Sequence, residues 1–332
     1  MKRITIKDIA RLVGVDVSTV SRALKDHPGI SAKTKQKIKD VAEELGYFPN
    51  HQAINFRQRR SKLIGLILPE LGRFFFPDLI RAIEEIAHQK GYTFITFQSN
   101  DLLEKEKNCV KMCRNFGVDG LLVCLSKETQ SVEHFTQLDR YDIPVVFVDK
   151  IIPEQVGATV TIDDFQAAFM AVSHLLTKGY RQIAGVFADP HLAITQQRFA
   201  GYKAALEKHG ISYDARQCCF INDLKTAQPD FKMLLQQHSP DALFTMSDEL
   251  LATVIPVIYA QKISVPQDLA IISISNGYLP YHINPAITHI KHSGYDLGYQ
   301  AANLLLDLIE HPTTTIHQNL ELETFLVELD SC

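Results

Sequence analysis

The sequence predicts an all-α helix-turn-helix head joined to an α/β body of two doubly wound parallel-sheet lobes. Three observations carry this reading. Residues 1–60 hold 13 Lys and Arg against 6 Asp and Glu, a net +7, which leaves −11 for the rest of a 332-residue chain whose total is −4. Within the head, apolar residues recur at helical spacing between capping residues and glycines. Beyond Ser61, short apolar runs alternate with amphipathic stretches, the pattern of repeated β-α-β units.

Thr5 can cap a first helix, with Asp8 reaching back as in a capping box. Ile6, Ile9, Ala10 and Val13 form one buried stripe, and Gly14 ends the helix. Asp16 caps a second helix from Val17 to about Lys25, with Val20 and Leu24 facing inward. Ser31 caps a third, about Ala32 to Leu45, closed by Gly46. Two short helices joined by a glycine turn make a helix-turn-helix, whose second helix enters the DNA major groove. Its outward residues are Val17, Ser18, Ser21 and Arg22. The Arg22 guanidinium can hydrogen-bond a guanine edge twice, Val17 can pack on a thymine methyl, and Ser18 can reach a base or a phosphate. Thr5, Thr19, Ser21, Ser31 and Thr34 are candidate phosphate contacts, which position without specifying. Helix capping is the other reading of these hydroxyls, and for Thr5 and Ser31 at least part of their role.

Pro49 stops the third helix, and Asn50 can cap and position the segment after it. Residues 51–59 are too short and polar to hold a helix alone in water, so they are expected to fold on docking. Arg57, Arg59 and Arg60 would add phosphate contacts.

In the body, strands are predicted at Leu63–Leu68, Thr93–Phe97, Gly120–Cys124 and Val145–Val148. After the theme restarts, others come at Ile183–Phe187, Ala242–Thr245 and Leu269–Ile274. Helices are predicted near Asp78–Lys90, Glu104–Phe116, Phe165–Thr177, Thr195–His209 and Glu249–Ala260. Parallel sheets bind ligands at the carboxyl ends of their strands. The polar and aromatic residues expected there are Arg73 to Phe76, Gln98 to Asp101, Asp149, Arg198, Ser247-Asp248 and Ser275-Asn276. Asp163-Asp164, at a strand-to-helix handover, reads as an N-cap rather than an acid–base pair. Residues 325–332 read as a final strand with no heptad tail for higher assembly.

No dinucleotide fingerprint, phosphate loop or nucleophile elbow occurs, so no catalytic residue and no cofactor is expected. Cys109, Cys113, Cys124, Cys218, Cys219 and Cys332 make no zinc-type spacing and read as reduced thiols without a metal. The start, Met1 to Ile6, is no signal segment, and no run is apolar enough to span a bilayer. A cytoplasmic protein is the expectation.

The runs Thr5–Val15, Ser18–Leu24, Ile30–Thr34 and Leu45–Asn50 resemble the lac repressor family of bacterial regulators. Ile64-Gly65, Phe75-Phe76, Gly117–Leu121, Ile143–Val146, Arg198–Tyr202 and Pro285–Ile290 are similar to that family's periplasmic-binding-protein-like type I domain. The resemblance covers nearly the whole chain. It implies that Val17, Ser18 and Arg22 read bases. It implies a hinge helix that pairs with its twin in a homodimer, with Ala53 allowing close approach and Phe56 standing where the family wedges a Leu into the minor groove. Phe75 and Phe76 would pack on an effector that Asp149 and Arg198 hydrogen-bond. The domains implied are a head (1–48), a hinge (49–60) and an effector-binding, dimerising body (61–332). The body divides into an N-lobe of about 61–161 and 291–324 and a C-lobe of about 162–290 and 325–332.

Several positions depart from the family pattern. Asp16 replaces Ser, Ser247 replaces Asn, Ser275 replaces Asp, Leu224 stands near a usual aromatic, and Arg73 replaces a polar residue. The lost carboxylate, with Arg73 and Arg198, leads to the expectation of an effector bearing an anionic group. The function implied is a homodimeric repressor of transcription on near-palindromic double-stranded operator DNA, controlled by a carbohydrate-like small molecule between the lobes. The alternative is a small-molecule binding protein, or a nucleotide- or sugar-processing enzyme, with no DNA role.

Overall fold

The computed structural model describes residues 4–47, 60–152, 157–224, 227–312 and 318–332. The chain divides into two units, 1–61 and 62–332.

In the first unit lie α1 (Ile6–Val13), α2 (Val17–Leu24) and α3 (Ala32–Glu44). The Asp8 carboxylate accepts from the Thr5 backbone N–H at 2.9 Å and from the Thr5 hydroxyl at 2.6 Å, which fixes the start of α1. Gly14 closes α1 at φ 77°, a left-handed conformation that glycine adopts without steric cost. Ile9, Ala10, Val20, Ala23, Ile38 and Ala42 form the core of this unit. Leu24, expected inward, is only half-buried at the edge of that core; Ala23 takes the inner position. Asp16 sits at the N-cap of α2, yet its side chain makes no capping hydrogen bond.

The second unit holds two six-stranded sheets. The first contains β1 (Leu63–Leu68), β2 (Thr93–Gln98), β3 (Gly120–Val123), β4 (Val145–Val148), β5 (Ala158–Ile162) and β11 (Asn319–Leu322). The second contains β6 (Ile183–Phe187), β7 (Cys218–Phe220), β8 (Ala242–Thr245), β9 (Ala270–Ser275), β10 (Thr288–Lys291) and β12 (Phe325–Val327). Their orders are β11-β5-β4-β3-β1-β2 and β12-β10-β9-β8-β6-β7. Every pairing is parallel except β10 with β12. Central strands such as β3, β6, β8 and β9 are buried throughout because helices cover both sheet faces.

On the first sheet pack α4 (Phe76–Gln89), α5 (Leu103–Phe116), a single turn α6 (Glu133–Thr136) and, from late in the chain, α11 (Gly294–Glu310). On the second pack α7 (Asp164–Thr177), α8 (Ala193–Lys208), α9 (Ala227–His238) and α10 (Asp248–Ala260). Glycines let two helix pairs approach closely. A Cβ on Gly201 of α8 would lie 2.2 Å from the Phe165 carbonyl of α7, and one on Gly298 of α11 would lie 2.5 Å from the Leu79 carbonyl of α4.

The chain passes between the sheets after β5, after β10 and after β11. These three passages make two lobes with the carboxyl ends of their strands turned toward a shared cleft. Element bounds differ a little from the sequence reading. Helix α4 starts at Phe76 rather than Asp78, because Pro77 suits a first turn. The predicted final strand at 325–332 shortens to β12.

Candidate DNA-reading face and effector cleft

On α2, Val17 is 40% exposed, and Ser18 and Arg22 are exposed beside it. Val20 and Ala23 are fully buried on the opposite face, so the core leaves these three side chains to solvent. Thr19 and Ser21 flank them half-buried. Other hydroxyls are already used by the fold. Thr5 bonds Asp8, and Ser31 accepts from the Thr34 N–H at 3.2 Å while its hydroxyl lies 2.8 Å from that of Thr34. Asn50, Ala53 and Phe56, with Arg57 and Arg59, lie outside the described residues.

The cleft is organised around Arg198. This side chain enters from α8, is 3% exposed, and bonds Asp164 Oδ1 through Nε at 2.8 Å and Nη2 at 2.7 Å. Its Nη1 donates to the Met246 carbonyl. The Asp163-Asp164 pair therefore divides its roles. Asp163 caps α7 by accepting from the Gln166 N–H at 2.8 Å, while Asp164 is the guanidinium's partner, a role the sequence reading missed. Burial raises the Asp164 carboxyl to about 6 even though Arg198 opposes the shift.

Asp149 comes directly after β4 at φ 69°, a left-handed position that few non-glycine residues hold. It lines a cavity of about 280 Å³ together with Lys150, Asp164, Phe165, Ile194 and Gln197. Burial raises its pKa, with Lys150 and Arg198 pulling the other way. No hydrogen bond reaches its carboxylate among the described residues.

The two aromatics separate. The Phe75 ring is half-buried, with its centroid 5.4 Å from that of His292. Phe76 is 3% exposed and belongs to the core of the first lobe. The expectation that Phe76 packs on a ligand is corrected, since its ring is spent on holding α4 to the sheet. His292 is held neutral, its pKa lowered to about 3 by burial and by Arg198.

The two serines support other groups. Ser247 caps α10, accepting from the Leu250 N–H at 3.4 Å. Ser275 is fully buried and accepts from the Gly277 N–H at 2.9 Å. Asp248 is 5% exposed; its Oδ2 accepts from the Asn276 N–H at 3.0 Å, and burial pushes its carboxyl up to about 6.

Arg73 does not stand as an uncommitted cation. It pairs with Asp101 and lies 3.6 Å from Glu70. With Arg198 bound to Asp164, neither guanidinium expected to receive an anion is without a carboxylate. Among the described residues, contacts reach across the cleft from one lobe to the other. Asn276 Nδ2 donates to the Phe74 carbonyl at 2.6 Å, and Lys127 Nζ lies 2.8 Å from Asp189 Oδ2. Among the described residues, no group of three or more His, Cys, Asp and Glu could hold a metal ion. No described helix is long and apolar enough to cross a membrane.

Residues 5–50 match the bacterial regulatory proteins of the lacI family, and residues 172–332 match the periplasmic binding protein-like domain. Catabolite control protein A of Priestia megaterium is 30% identical over 321 residues, covering 93% of this chain and 94% of its own. The lac repressor dimer bound to operator and the anti-inducer ONPF superposes with a TM-score of 0.87 at 22% identity, covering 99% of each chain. A periplasmic binding protein/LacI transcriptional regulator from Alkaliphilus metalliredigens QYMF, complexed with D-xylulofuranose, covers 81% of this chain and 98% of its own at 25% identity and a TM-score of 0.71. Likeness to catabolite control protein A runs through both the three-helix head and the two-lobed body, and the chain belongs to the lacI family of bacterial regulatory proteins, as a DNA-binding transcriptional regulator with a ligand-binding domain.

Proposed function

We propose that this regulator is a cytoplasmic homodimeric repressor that reads a near-palindromic operator through α2 and releases or holds it according to a small molecule in the cleft. The observation that carries the reading is the α2 face, where Val17, Ser18 and Arg22 are exposed on a helix pinned by Val20 and Ala23. Arg22 supplies the bidentate base contact, with Val17 and Ser18 reading neighbouring positions. Thr5, Thr19, Ser21, Ser31, Thr34 and Asn50 set the register on the backbone. Residues 1–48 form the head, and 49–60 the hinge, where Ala53 permits helix pairing and Phe56 wedges the minor groove. Residues 61–332 form the effector-binding and dimerising body.

The effector is carbohydrate-like. Asp149, Asp164 and Gln197 line the cavity together with Phe165 and Ile194, the mixture of hydrogen-bonding and apolar surface that a sugar ring requires. The D-xylulofuranose complex of the Alkaliphilus regulator supports this choice. Selection of duplex DNA from a random pool by the full chain tests the reading. Enrichment of a near-palindrome with half-sites about one helical turn apart is expected. A pool that stays random contradicts it.

A further inference from the structure

The start of the reading helix carries a carboxylate that the fold does not use. Residues 1–60 hold 6 Asp and Glu among 13 Lys and Arg. Asp8 bonds Thr5, Asp26 accepts from Lys39 Nζ at 2.7 Å, and Asp40 accepts from Gln36 Nε2 at 2.8 Å. Glu43 and Glu44 lie in the last turn of α3. Asp16 differs from all of these. It is exposed at the N-cap of α2, directly before Val17 and Ser18, with an extended backbone at φ −68° and ψ 152°. Its side chain makes no capping hydrogen bond, and among the described residues no cation pairs with it. Arg11 lines the same shallow groove, yet its guanidinium lies 3.9 Å from Asp8.

A helix that enters the major groove by its N-terminal end brings Asp16 to the base edges together with Val17 and Ser18. An ionised carboxylate only accepts hydrogen bonds, so the groove sorts its possible partners sharply. Phosphates repel it. Guanine presents O6 and N7, and thymine presents O4, all acceptors. Adenine offers its N6 amine but sets the N7 acceptor beside it. Cytosine offers its N4 amine with no acceptor alongside. We propose that Asp16 is a further base-reading residue, whose carboxylate accepts from the N4 amine of a cytosine in each half-site. The inference rests on α2 being the reading helix. The same charge weakens binding wherever that cytosine is missing, so Asp16 acts against wrong sequences as well as for the right one. A carboxylate committed to capping α2, or to an ion pair with Arg11, would not be available for this role.

Selection from a random duplex pool, run in parallel with the full chain and its Asp16→Ala and Asp16→Asn variants, tests this. The parent is expected to enrich a cytosine at one position of each half-site. Asp16→Ala is expected to lose that cytosine, to keep the positions read by Arg22, and to bind random duplex more tightly. Replacing the cytosine in the selected operator should weaken the parent by about tenfold or more and Asp16→Ala by less than about twofold, read by fluorescence anisotropy. Asp16→Asn keeps an oxygen able to cap α2, so fraying of the helix cannot explain its result. Its preference is expected to move toward adenine, whose N6 and N7 an amide bonds together. A cytosine still enriched by Asp16→Ala overturns the inference and leaves the reading by Arg22 standing. So does a uniform gain in affinity with no position changed. If Asp16→Ala loses the whole motif, Asp16→Asn decides: a move toward adenine supports the inference, and an unchanged cytosine overturns it. A pool that stays random with the parent chain overturns both the inference and the reading of DNA by α2.

Discussion

At the scale of single residues, burial without a counter-charge sets a measurable pH dependence. Asp248 has its folded pKa raised to about 6 from an ordinary 3.8, so the folded state binds the proton more tightly than the unfolded state. Its stabilising contribution is present below pH 3.8 and is lost as pH rises through about 6. Asp248→Asn keeps an acceptor for the Asn276 N–H and removes the charge. A gain of about 1–2 kcal/mol is expected at pH 7.5, shrinking toward zero near pH 4, by urea unfolding at each pH. A pH-independent difference would contradict the assignment. Asp164→Asn differs, because it leaves the buried Arg198 guanidinium without its carboxylate, and it should destabilise by about 3 kcal/mol or more in the same assay. The Asp164 role was in part legible in the sequence. Only one of two adjacent acids can cap a helix, so the second needed a partner elsewhere. What the chain alone did not reveal is which cation that would be, since Arg198 lies 34 positions away.

At the scale of elements, the head was read nearly residue by residue, because its caps, glycine turns and stripes are local. Strands β1, β4, β6 and β8 were legible as unbroken apolar runs. Strands β5 and β11 and helix α11 were not. Strand β11 is a half-exposed edge with polar residues, and α11 carries Gly294 and Gly298, which weaken any helical signal. Those glycines are required by contacts with α4 made more than 200 positions earlier, near Phe75 and Leu79. Gly201 plays the same part between α7 and α8. Gly201→Ala must push a backbone carbonyl aside and should cost about 1–3 kcal/mol by thermal unfolding. A variant as stable as the parent would mean that the two helices do not pack this closely.

At the scale of the whole molecule, the head and the body answer to different chemistry, and the account requires that one influence the other. Within the body, two lobes joined by three passages can change their angle, and the pairs Asn276–Phe74 and Lys127–Asp189 bias that angle. The Lys127–Asp189 pair is partly solvated, so it is worth about 0–1 kcal/mol. Lys127→Ala combined with Asn276→Ala should broaden the distance distribution between spin labels on α5 and α9; an unchanged distribution would show that other contacts hold the lobes. The coupling has no purpose unless the head reads DNA in sequence, and that claim rests on Arg22. Fluorescence anisotropy of the selected operator with the full chain and with Arg22→Ala tests it most directly. The account predicts a loss of about 1–3 kcal/mol per half-site, with weak salt-dependent binding to random duplex retained. Operator affinity unchanged in Arg22→Ala, or lost equally for operator and random DNA, would contradict it.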